Sequence, residues 1–118
     1  MSSVATLILA GTETRADLGR VVNALNIARE FDENGEDVTI VFDGAGTQWV
    51  PTLSDEGHKY HALFEQTKNS IAGACSYCAG AYGVKDAIEE SDVDLLDEFN
   101  GHPSVHKLIS NGYQVLTF

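Results

Sequence analysis

The chain reads as an α/β protein: three layers, with a mostly parallel open sheet of four or five strands and helices on both faces. Three observations lead there. An apolar run at 4–10, a stretch of helical periodicity and a β-branched run ending at Asp43 make a strand–helix–strand unit, which normally closes right-handed with its strands parallel. The alternation of strand-like and helix-like segments continues to the end of the chain. The two cysteines, Cys75 and Cys78, follow the small-sided run Ile71-Ala72-Gly73-Ala74, at the strand ends where open sheets present their chemistry.

The elements follow in order. Val4 to Ala10 is a buried strand, short, apolar and closed by Gly11-Thr12. From Arg15 to Asn34, Leu18, Val21, Val22, Leu25, Ala28 and Phe31 recur at helical spacing, and Gly35 supplies the stop. Val38-Thr39-Ile40-Val41-Phe42 is the second strand. Thr47 to Pro51 reads as a loop carrying Trp49, and Thr52 to Asn69 as one helix through Leu53, Tyr60, Leu63 and Phe64. Ile71 to Ala74 is a third strand, and Cys78 to Gly83 makes one helical turn. Lys85 to Asn100 is acidic and poorly patterned. Pro103 stands where a helix starts; Val105, Leu108 and Ile109 form its stripe, Asn111-Gly112 its stop, and Gln114 to Phe118 the last strand. With no repeat, linker or low-complexity tract, residues 1–118 are expected to form one domain.

Composition narrows the function classes. Eighteen acidic against seven basic residues give a formal net charge of −11. Such a surface repels phosphate backbones and anionic lipid, so neither nucleic acid nor a membrane is an expected partner. Its plainest meaning is solubility, and the four lysines also fit adaptation to high salt. No stretch reaches the ~20 apolar residues that span a bilayer. The first apolar run lacks the basic region of a signal peptide, which points to the cytoplasm. In a reducing compartment a CxxC pair is expected to serve redox, sulfur or metal chemistry rather than as a staple.

Cys75 ends the third strand, with helix-end N–H groups positioned to lower its pKa; Cys78 follows one helical turn later, close enough to resolve whatever Cys75 binds. Two thiolates at this spacing are also half of a zinc site. The histidines available to complete one fall in two pairs, His58 with His61 and His102 with His106. Capping or solvated roles are the simpler reading of both pairs, so neither a metal nor a cofactor is expected. Asp43, at the end of the second strand, either caps a turn or meets a cysteine. No GxGxxG, GxxxxGK[ST] or GxSxG is present, which argues against nucleotide binding and a serine nucleophile.

Element order and one motif together resemble the DsrE/DsrF-like (YchN-fold) sulfur-relay family. The residues that carry this are the strand Val4–Ala10 with its helix, Val38–Phe42 closing in Asp43-Gly44, and the run from Ala74 to Val84. In the family a cysteine ends the third strand and a Gly-Val or Gly-Ile pair follows eight residues later, matched by Cys75 and Gly83-Val84; Cys78 matches a second cysteine of the YchN-type branch. The Arg-Arg that precedes the glycine in sulfur-relay members is replaced by Ala81-Tyr82. The resemblance implies a carrier that takes persulfide sulfur from a donor protein and passes it to an acceptor, within a trimeric or hexameric homo-oligomer. Cys75 and Cys78 are then the reactive residues, with Cys75 the attacking thiol. A dithiol–disulfide oxidoreductase is disfavoured, because thioredoxin-like chains place CxxC early and need a proline opposite it. A non-enzymatic oligomeric binding module with incidental cysteines is the remaining alternative.

Overall fold

A computed structural model describes residues 2–118. Five strands, β1 (Ser3–Ile8), β2 (Asp37–Phe42), β3 (Ile71–Cys75), β4 (Leu95–Leu96) and β5 (Gln114–Thr117), form one sheet in the order β4-β3-β2-β1-β5. Every pairing is parallel. The chain steps outward from β1 through β2 and β3 to β4, then returns to place β5 on the far side of β1. Right-handed crossovers in opposite directions put their helices on opposite faces. The packing agrees. Helix α1 (Arg15–Glu33), α2 (Trp49–Ser54), α3 (His61–Thr67), α4 (Ser76–Ala81) and α5 (Lys85–Glu90) share one core with Ile8, Ile40 and Phe42. Helix α6 (Val105–Ser110) brings Leu108 over Thr39 and Val41, which point to the other side of β2.

The first βαβ unit follows its sequence closely. Thr14 caps α1 by accepting from Asp17 N–H, and the helix buries Val21, Ala24, Leu25 and Ala28. Asn34 closes it and Gly35 turns out at φ +74°, a conformation glycine reaches without the Cβ penalty. Strand β1 stops at Ile8, two residues short of the apolar run, because Leu9 and Ala10 N–H both turn to the carbonyl of Phe118.

The middle of the chain departs from expectation. Gly44–Gln48 is a 3-10 turn that runs straight into α2, so Thr47 to Pro51 is helical rather than a loop. Pro51 is tolerated there because the first helical turn has no partner for its missing N–H. Trp49 is 3% exposed, its indole N–H shared between the carbonyls of Ala10 and Gly11, which ties down the loop after β1. The single helix expected from Thr52 to Asn69 is two: Asp55 accepts from Gly57 N–H and reverses the chain between α2 and α3. The acidic segment Lys85–Asn100 holds both α5 and the edge strand β4, the latter too short to show periodicity. No helix among the described residues is long and apolar enough to cross a membrane.

Candidate functional site

Four elements converge at the carboxyl ends of β2 and β3. Asp43 follows β2 and caps the 3-10 turn, its Oδ1 accepting from Gly44 N–H at 2.8 Å. That turn lies hard against β1: a Cβ on Gly46 would stand 2.0 Å from the carbonyl oxygen of Ile8. Glycine is therefore required for the turn to seat, and the seated turn sets the height of Asp43. Strand β3 ends in Cys75, which is also the cap of α4; its Sγ accepts from Cys78 N–H at 3.3 Å. The tight passage from strand to helix leaves both sulfurs facing the end of β2, with Cys78 Sγ donating to Asp43 Oδ1 at 3.5 Å. Asp43 thus takes both of its expected roles, turn cap and cysteine neighbour.

The fourth element is a hairpin turn at the end of the acidic segment, just before Pro103, where no element was expected. Phe99 and His102 exchange both backbone hydrogen bonds at 2.8 Å, and Asn100 and Gly101 between them have φ +49° and +83°. Positive φ at both central residues is the type I′ turn, for which Asn-Gly is the favoured dipeptide. The turn is fastened to α4 by Tyr77 N–H donating to Gly101 O at 2.9 Å. On its other flank, Glu98 accepts from Ser104 N–H and Lys107 Nζ, contacts that hold its carboxyl below the usual range. So anchored, the turn delivers His102 Nδ1 to 3.3 Å from Cys75 Sγ, and the Tyr77 ring lies 4.9 Å from the imidazole. The Asn-Gly pair immediately ahead of a histidine was the available signal.

One donor atom from each of Asp43, Cys75, Cys78 and His102 lies within 4.8 Å of the other three. The remaining histidines are elsewhere. His58 Nδ1 accepts from Tyr60 N–H, His61 Nδ1 is 2.7 Å from Leu53 O, and His106 is exposed on α6. Neither sequence pair works as a pair; His102 alone reaches the cysteines.

The two sulfurs differ in environment. Cys75 is 0% exposed beneath Gly101 and His102, whereas Cys78, Asp43 and His102 are half-buried. Burial pushes the Cys75 thiol up to about 12; the Cys78 N–H opposes this, and the Cys78 thiol and the Asp43 charge add to it. This corrects the expectation of a lowered Cys75 pKa. The helix-end N–H is where the sequence puts it, but one amide at 3.3 Å does not offset complete removal from water. Beside the site a shallow depression is lined by Ser76, Tyr77, Gly80, Ala81, Lys85 and Gly101.

Fold and site together define a small α/β protein that presents a free dithiol at the carboxyl end of an interior strand, flanked by an imidazole and a carboxylate. The chain belongs to the DsrE/DsrF-like family, whose model matches residues 5–118, essentially the whole sequence. The family points to sulfur relay as the broad function. An uncharacterized protein of Methanocaldococcus jannaschii, MJ0733, is 29% identical over 96 residues, covering 81% of this chain and 78% of its own. The solved structure of BT1422, a conserved protein of unknown function from Bacteroides thetaiotaomicron, superposes with a TM-score of 0.64 over 97% of this chain and 94% of that one. At 17% identity that likeness speaks to the fold alone.

Proposed function

We propose that this protein is a cytoplasmic persulfide carrier that holds sulfane sulfur on the strand-end Cys75 and uses Cys78 as its point of entry. The observation that carries this is the pair of free thiols held within 4.8 Å at the end of β3, one buried and one accessible. In this route the half-buried Cys78 attacks first, in place of the Cys75-first order expected from sequence. The Cys78 thiolate attacks the outer sulfur of a donor persulfide; the donor thiolate leaves, and Cys78 carries the new S–S bond. Cys75, giving its proton to His102 Nδ1 at 3.3 Å, then attacks the same outer sulfur. The Cys78 thiolate is released, and the persulfide rests under Gly101 and His102, away from reductants. Thiol–disulfide exchange proceeds by the same in-line attack of a thiolate on sulfur.

Donor and acceptor would be proteins, reaching the site at the half-buried Cys78. Tyr77 and Phe99 flank His102 and are 63% and 66% exposed, more aromatic surface than a small acidic monomer needs, and we assign it to contacts in a trimeric or hexameric homo-oligomer.

The test is mass spectrometry of reduced, chelator-treated protein after incubation with a persulfide donor. The expected result is a gain of one sulfur mapped to Cys75. Cys75→Ser should load transiently on Cys78 only, and Cys78→Ser should load at least tenfold more slowly. A wild-type chain that gains no sulfur overturns the reading.

A further inference from the structure

We propose that Asp43, Cys75, Cys78 and His102 form a binding site for one zinc(II) ion per chain. This goes beyond sulfur carriage and does not rest on it. A tetrahedral zinc held by two thiolates, an imidazole nitrogen and a carboxylate oxygen sets donor–donor edges of roughly 3.4–3.8 Å. Two donor pairs already stand near that spacing, Cys75 Sγ to His102 Nδ1 at 3.3 Å and Cys78 Sγ to Asp43 Oδ1 at 3.5 Å. All four donors lie within 4.8 Å of one another, so the remaining edges close by at most about 1.4 Å. Rotation of the half-buried Cys78, Asp43 and His102 side chains supplies that movement.

The donor set selects the metal class. Two thiolates disfavour magnesium and calcium, which take oxygen ligands. Zinc accepts sulfur, nitrogen and oxygen in one tetrahedron without a geometric preference of its own. The ligands come from three separate parts of the chain: the end of β2, the β3–α4 junction and the Asn100-Gly101 turn.

Around the donors are the outer contacts a metal site requires. Gly44 N–H orients the Asp43 carboxylate at 2.8 Å, Cys78 N–H points at Cys75 Sγ, and the Tyr77 ring packs beside the imidazole. In the bound form each cysteine coordinates as thiolate, its proton passing to solvent. His102 ligates through Nδ1, with its proton on Nε2. Four protein ligands close the coordination sphere and occupy both sulfurs, so the ion and sulfane sulfur exclude one another.

The experiment is an anaerobic titration of the reduced, metal-free full chain with cobalt(II), followed by zinc(II). One equivalent of cobalt should give the near-ultraviolet thiolate-to-cobalt band and the intense visible bands of tetrahedral geometry. One equivalent of zinc should bleach both. Asp43→Asn, which retains the turn cap, and His102→Gln should each weaken cobalt affinity about 10- to 100-fold while circular dichroism shows the fold intact. No thiolate-to-cobalt band, or unchanged affinity in either variant, overturns the site. Sulfur loading is measured on chelated protein, so failure there leaves this result standing, and the reverse holds equally.

Discussion

Modification of the two cysteines tests the electrostatics of the site most directly. Iodoacetamide reacts with thiolate, so each alkylation rate follows the ionised fraction of its thiol as well as access to it. Burial raises Cys75 from the ordinary value of 9.0 to about 12. A rise of that size lowers the thiolate fraction at neutral pH about 1,000-fold, since each pH unit is a factor of ten. In metal-free native protein, Cys78 should therefore be carboxamidomethylated first, and Cys75 at least about 1,000-fold more slowly than a free thiol. In denaturant the two rates should converge. The pH dependence carries a sign as well. A thiol whose folded pKa is raised contributes stability that is fully present below pH 9.0 and is lost as pH climbs towards 12. The folded chain should accordingly weaken across that window, and replacing Cys75 with alanine should flatten the loss. Peptide mapping after timed quenching, from neutral to alkaline pH, is the assay. Cys75 alkylated as fast as Cys78 in the native state would refute the argument that desolvation outweighs the helix-end N–H.

Two further outcomes follow from the packing. Gly46→Ala must displace either the 3-10 turn or β1, because its Cβ would lie 2.0 Å from a backbone oxygen; thermal unfolding should show a loss of about 3 kcal/mol, roughly 10 °C in Tm. Gly19→Ala, exposed on α1 with nothing within 4 Å, should instead gain about 0.5–1 kcal/mol, and equal effects at both positions would contradict the steric explanation. Light scattering at micromolar concentration and moderate salt should return a multiple of the 12.7 kDa chain mass, reduced by Tyr77→Ser combined with Phe99→Ser; a wild-type monomer would remove the role assigned to those rings.

Local rules were enough to locate most of the framework. The period of α1, its Gly35 stop, and the β-branched run of β2 are short-range features, and each element lies where they put it. The cysteine pair was legible for the same reason: a small-sided strand followed by turn-prone residues is a local pattern, and Cys75 does end β3. Strand β4 was not, since two residues on a sheet edge display no alternation and are ordered by pairing with Ala74 and Cys75 and by Leu95 packing against the core. The break after Ser54 escaped because one Asp55 side-chain hydrogen bond outweighs an apolar spacing that fits a continuous helix. The environment of the site depended on tertiary structure throughout. Cys75 and His102 lie 27 residues apart and Cys78 and Asp43 35, separations across which no periodicity carries information. The sequence supplied two thiols at the correct strand end; the hairpin folded over them decided which is buried and high in pKa, and which meets solvent. Burial is a property of the assembled layers, and here it overrules the local helix-end field that the same residues would feel in water.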